Sequence, residues 1–215
     1  MTYSDFSLVE VCKTFGLVAQ TRPLFRVDEV APPVWLSDLL QRGRPFALGS
    51  EKARSEFIVV PMLLTWVDHS AIPLSVYSGQ RLDVDPARGL TGECDFILAK
   101  TPPLPFLQAP IVTIVEAKKH DVEAGMGQCA AQMIGARVFN EREGGAVPTI
   151  FGCVTSGETW QFLQLEQQYL FIDTERYYLD NVARLLGVFT AITAIYASDD
   201  GPEPPQAPGT GDAHP

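Results

Sequence analysis

The chain has 215 residues, 46% of them hydrophobic and 20% charged, a mixture that supports one substantial core. Its net charge of −10 speaks against a protein that grips nucleic acid through a broad basic face; four of the acids and no Lys or Arg lie beyond Ser198, so the rest carries −6. Four cysteines spaced without a CxxC pair, with only three histidines, exclude a structural zinc site and fit a reduced, cytoplasmic setting.

In chain order, the opening "MTYSDFSLVE" carries an acid where a signal peptide carries positive charge. "VWLSDLLQRG" predicts a helix stopped at Gly43. A stronger helix is predicted from Ser50, its N-cap, through "SEKARSEFIVVPMLLTW". There Ala53, Phe57, Val60 and Leu64 form an apolar stripe beside Glu56, and Pro61 predicts a kink or break. "IPLSVYSGQRLDV" and "GLTGECDFILAK" flank the turn signal "DPARG" and predict a hairpin, with Asp83 and Asp85 as turn residues.

"IVTIVEAKK" predicts a buried strand that ends in charge. After Gly125 and Gly127 a helix is predicted through "QCAAQMIGARVFNERE", stopping at Gly144-Gly145. Two more strands, "PTIFGCVTSG" and "TWQFLQLEQQYLFIDT", precede a last helix, "YYLDNVARLLGVFTAITAIYA". Its apolar part is interrupted by Arg184 and is shorter than a membrane span, so no membrane partner is expected, although this helix offers a surface for a homodimer. The order of elements predicts an α/β sandwich with a mixed sheet.

Strand alternation places Glu116 and Lys118 on one side with Ala117 opposite, and pairs Glu93 with Asp95 in the same way. If these strands are neighbours, Asp95 and Glu116 converge, and two carboxylates so placed each resist ionisation unless a cation joins them. Oxygen donors favour Mg2+ or Mn2+, which can polarise a phosphoryl oxygen and activate water, while the Lys118 ammonium offsets charge developing on phosphate. Gln128 and Gln132, one turn apart, share a helical face. Trp160, Phe162 and the late series Leu185, Leu186, Phe189 and Ile192 are expected in the core.

An Asp on one strand, Glu-x-Lys on the next and Gln on the following helix resemble the PD-(D/E)xK nuclease superfamily. The parts are Asp95 in "GECDF", Glu116 and Lys118 in "VEAKK", Gln128 in "GQCAAQM" and Glu56 in "ARSEF". Within that superfamily the likeness is to the N-terminal nuclease domain of type I restriction motor subunits and to small stand-alone relatives. It spans residues 50–166, with Cys94 where the family name has Pro.

The resemblance implies a restriction-endonuclease-like mixed β-sheet core flanked by helices over residues 50–197. The resemblance leaves both ends unmatched: residues 1–49 are expected to be an N-terminal helical extension packed on that core, and 198–215, by composition, a disordered acidic Pro/Gly-rich tail. It further implies metal held by Asp95, Glu116 and Glu56, catalysis by Lys118 supported by Gln128, and a nucleic-acid substrate, DNA first. No helicase or target-recognition portion accompanies the motif in this sequence, so specificity would come from a partner protein, and sequence-specific restriction is not implied. Two other readings stay open: a non-catalytic binding or assembly module, and a phosphodiesterase acting on another substrate.

Overall fold

The structure, a computed structural model, describes residues 1–118 and 121–198. Lys119, His120 and the expected tail beyond Ser198 therefore lie outside the described residues.

The N-terminal stretch does more than add helices. Helix α1 (Leu8–Phe15) starts at a capping box, in which Glu10 N–H donates to Ser7 Oγ and Ser7 N–H donates to the Glu10 carboxylate. Gly16, at φ 66, ends it in the left-handed region that glycine tolerates. Strand β1 (Val18–Arg22) follows and pairs in parallel with a strand from the far end of the chain. Residues 1–49 were expected to be helical; "VAQTR" has too few apolar residues to signal a strand, and the pairing comes from a partner some 150 residues away. Helix α2 (Val34–Gly43) stops where the sequence predicts.

Ser50 caps the next helix, its Oγ accepting from Ala53 N–H. That helix does not break at Pro61. It runs as α3 (Glu51–Arg54), a π-helical turn (Ser55–Val59) and α4 (Val60–His69). Val60 N–H donates to Ser55 O, a reach of five residues. The wider turn adds one residue to the helical phase and accommodates the proline, which has no N–H to give. The buried face therefore falls on Ile58, Val59, Met62, Leu63 and Trp66, while Leu64, expected inside, is exposed.

Strands β2 (Ser75–Arg81) and β3 (Glu93–Ala99) form the predicted hairpin, and Asp85 caps the 3-10 turn between them by accepting from Arg88 N–H. β4 (Ile111–Ala117) is antiparallel to β3 and parallel to β5 (Thr149–Thr155), and every residue in both β4 and β5 is buried. The next expected strand is a hairpin, β6 (Thr159–Glu166) and β7 (Tyr169–Asp173), turning at Gln167 with φ 50. A short β8 (Tyr177–Tyr178) also pairs with β6. The result is a mixed eight-stranded sheet in the order β1-β7-β6-β5-β4-β3-β2, with β8 alongside β6.

Helices cover both faces. On one, Leu36 and Leu40 of α2, Met62 and Trp66 of α4 and the apolar side of α6 (Val182–Ala197) meet Phe96, Val115 and Phe162. On the other, Val11 of α1 and Met126, Cys129 and Met133 of α5 (Val122–Arg142) meet Ile97, Ile114 and Val154. Residues Leu179–Ala197 are long and apolar enough, by length and composition alone, to cross a membrane. Leu185, Leu186, Val188, Phe189, Ile192 and Tyr196 are all buried against the sheet, while Ile195 is exposed on the outer side of α6.

Helix α5 begins at Asp121, whose side chain accepts from Ala124 N–H, and passes through both glycines that were expected to precede it. Close packing is the reason. A Cβ on Gly127 would lie 2.3 Å from Phe6 O, and one on Gly125 would lie 2.5 Å from Val154 Cγ1 and 3.0 Å from Lys118 Cγ. The missing side chains let α5 press against the N-terminal segment and the end of β4.

Candidate active site

The site forms where β4 parts from β3. Their backbone pairing runs from Ile111 to Val115 and then ends. Beyond it Ala117 N–H donates to Asp95 Oδ2 at 2.7 Å, so a side chain takes the place of the next backbone acceptor. This draws the Asp95 carboxyl to the point where Glu116 leaves the sheet, where the Asp95 charge acts on Glu116.

Glu116 is 2% exposed. Its Oε1 accepts from Lys118 Nζ at 2.8 Å and its Oε2 from Gln132 Nε2 at 2.9 Å. Lys118 also donates to Gln128 Oε1 at 2.9 Å. The two strand residues thus share a side, as alternation predicts, and α5 supplies the Gln128–Gln132 face. The sequence favours Gln128 over Gln132; the structure gives each a distinct contact, Gln128 on the lysine and Gln132 on the carboxylate. Among the described residues the buried Gln132 Oε1 has no hydrogen-bond partner, a rare condition for a polar atom in a protein interior.

The electrostatics follow from that burial. Loss of water, then the neighbouring Asp95 charge, push the Glu116 carboxyl up to about 7, against the pull of Lys118 and Gln132. Burial also raises Asp95, opposed by the Ala117 N–H and Lys118. For Lys118, desolvation acts to lower the pKa, but Glu116 and Asp95 outweigh it and the net shift is upward, so the ammonium stays charged.

Glu56 does not join them. It is exposed on the helix and lies 3.8 Å from Lys52. Glu51 takes its place in the cleft of about 350 Å3 beside Asp95, which is also lined by Lys52, Ser55, Ser78, Gly79 and Glu93. Glu51 also acts electrostatically on both Asp95 and Lys118. The sequence signal for Glu51 was weak, because it sits in the first turn next to the Ser50 cap, where an acid normally serves the helix dipole. Glu93 is exposed at the cleft rim, as the solvated reading of that residue expects.

The donor set suits a hard cation in its central pair. Mg2+ is commonly held by one or two carboxylates plus waters and substrate phosphates, and Asp95 and Glu116 provide such a pair. A cation between them would relieve their mutual repulsion. Among the described residues no group of three His, Cys, Asp or Glu side chains is gathered closely enough to hold a metal by itself. Cys94, Cys129 and Cys153 are buried free thiols, with pKa values raised by desolvation, and offer no ligand set. Comparison with models of known protein families and with curated proteins gives no match to this chain.

Proposed function

We propose that the protein is a metal-dependent nuclease that hydrolyses phosphodiester bonds, with DNA as the first candidate substrate. The reading rests above all on half-buried Asp95 and buried Glu116 at the end of two adjoining strands, with Lys118 bound to Glu116. Burying carboxylates this way carries a cost that a solvent-facing strand end would avoid. Nothing in the packing of the core calls for it.

Asp95 and Glu116 would hold Mg2+ or Mn2+, with Glu51, in place of the expected Glu56, completing the site through water. A bound divalent ion supplies Lewis acidity toward a phosphoryl oxygen and lowers the pKa of a coordinated water. Lys118, held between Glu116 and Gln128, keeps its ammonium charged beside the carboxylates, where it orients the attacking water and offsets negative charge developing on the phosphate. Gln132 fixes the Glu116 rotamer from α5. Lys52, exposed at the cleft, is placed to meet the phosphate backbone.

The test is cleavage of labelled duplex, single-stranded DNA and RNA with Mg2+ or Mn2+, comparing wild type with Asp95→Ala and Lys118→Ala. Loss of metal-dependent cleavage in both variants, with melting curves retained, supports the reading. Equal activity in all three proteins would remove it.

One observation favours the non-catalytic module as a second reading: the described residues contain no ready three-ligand group. Titration calorimetry separates the two, since a binding module has no reason to take up Mg2+ or Mn2+ at millimolar concentration.

A further inference from the structure

The exposed face of α2 combines apolar and charged groups in an order that fits a copy of itself. Helix α2 is held rigidly from behind. Leu36 and Leu40 are buried in the core, and Gly43 packs so closely on the next helix that a Cβ there would lie 2.9 Å from Phe57 O. Its outer side carries Trp35 and Leu39, both 40% exposed, and the following turn carries Phe46 at 66% and Leu48 at 72%. Trp35 and Leu39 are one helical turn apart, so they form a stripe that continues toward Phe46. A run of large apolar side chains on the outside of a rigid helix is the composition of an interface core, in which tryptophan and phenylalanine are enriched.

Beside that stripe stand Asp38 and Arg42, also one turn apart and exposed. Neither forms an ion pair among the described residues, although the i, i+4 spacing would allow them to pair with each other. On a single helix these charges look idle. On two helices laid antiparallel across a two-fold axis level with residue 40, they become complementary twice over.

We infer that α2 is the interface of a symmetric homodimer, in which Asp38 meets Arg42 of the partner subunit and Trp35 packs against Phe46 of the partner subunit. The two contacts fit one register, because when residue 38 faces 42 residue 35 faces 45, in the turn that carries Phe46. An isologous interface repeats each contact, so one register satisfies both acids and both arginines. The antiparallel arrangement is also required: in a parallel pair, whose two-fold runs along the helices, Asp38 would face its own copy. This inference stands apart from the nuclease reading and holds whether or not the cleft is catalytic.

The test is sedimentation or light scattering of the full chain over a range of concentrations, with Asp38→Arg, Arg42→Asp and Trp35→Asp. These side chains are exposed, and circular dichroism melts establish that each variant folds. Wild type is expected to pass from monomer to dimer as concentration rises. Each single variant should dimerise more than about tenfold more weakly. An equimolar mixture of Asp38→Arg and Arg42→Asp should recover dimerisation, because each like-charge clash becomes an attraction in the mixed pair. A wild type that stays monomeric throughout would overturn the inference. So would variants that dimerise like wild type, or single variants that stay monomeric when mixed.

Discussion

Replacing Glu116 with Gln should stabilise the metal-free protein at high pH and leave it unchanged at low pH. The Glu116 carboxyl is raised from 4.5 to about 7, first by burial and then by Asp95. For an acid whose folded pKa lies above its unfolded value, the favourable contribution is complete below about 4.5 and is lost as pH rises through about 7. At about 1.4 kcal/mol per pKa unit, ionising Glu116 in the folded state costs about 3 kcal/mol by pH 8, a cost carried by the Asp95–Glu116 pair together. Glutamine has the same shape and no proton to lose.

Its amide nitrogen would face Gln132 Nε2, but rotating the Gln132 amide resolves this by turning the unpartnered Oε1 toward the new donor. In EDTA at pH 8 the variant should therefore melt about 6–12 °C higher than wild type. At pH 4.5 the two should coincide. Adding Mg2+ at pH 8 should stabilise wild type, by mass action on the ionised pair, and not the variant. A variant equal to or less stable than wild type at pH 8, or a difference that does not change with pH, would refute the account of a strained carboxylate pair.

Two further outcomes follow from the same geometry. Glu51→Gln should weaken Mg2+ binding by about tenfold or less, measured by calorimetry, because its carboxylate acts on the site electrostatically, whereas Glu56→Gln should leave binding unchanged. Gly127→Ala should lower stability by about 2 kcal/mol or more in urea titration, since its Cβ would strike the backbone of Phe6 and Ser7, while Gly49→Ala, with open space around it, should cost far less.

The legible parts of this protein were those set by local chemistry. The Ser50 cap, the Gly43 stop, the β2–β3 hairpin and the alternation that puts Glu116 and Lys118 on one side need only a few neighbouring residues, and all are present. Even the convergence of Asp95 with Glu116 was implied once two adjoining strands were assumed.

What the chain order could not supply was long-range partnership and helical phase. β1 is a strand only because β7 offers it a parallel edge. Gly125 and Gly127 read as helix breakers until the backbone of Phe6 and the side chain of Val154 occupy the space their side chains would need. A single π turn rotates the helix by one residue, moving Leu64 into solvent and leaving Glu51 beside Asp95 in place of Glu56. The residue types of the site were thus settled locally, through spacing and charge. Which acid lines the cleft beside Asp95 was settled by tertiary packing, because a helix turns about 100° per residue and one inserted residue is enough to exchange the face it presents.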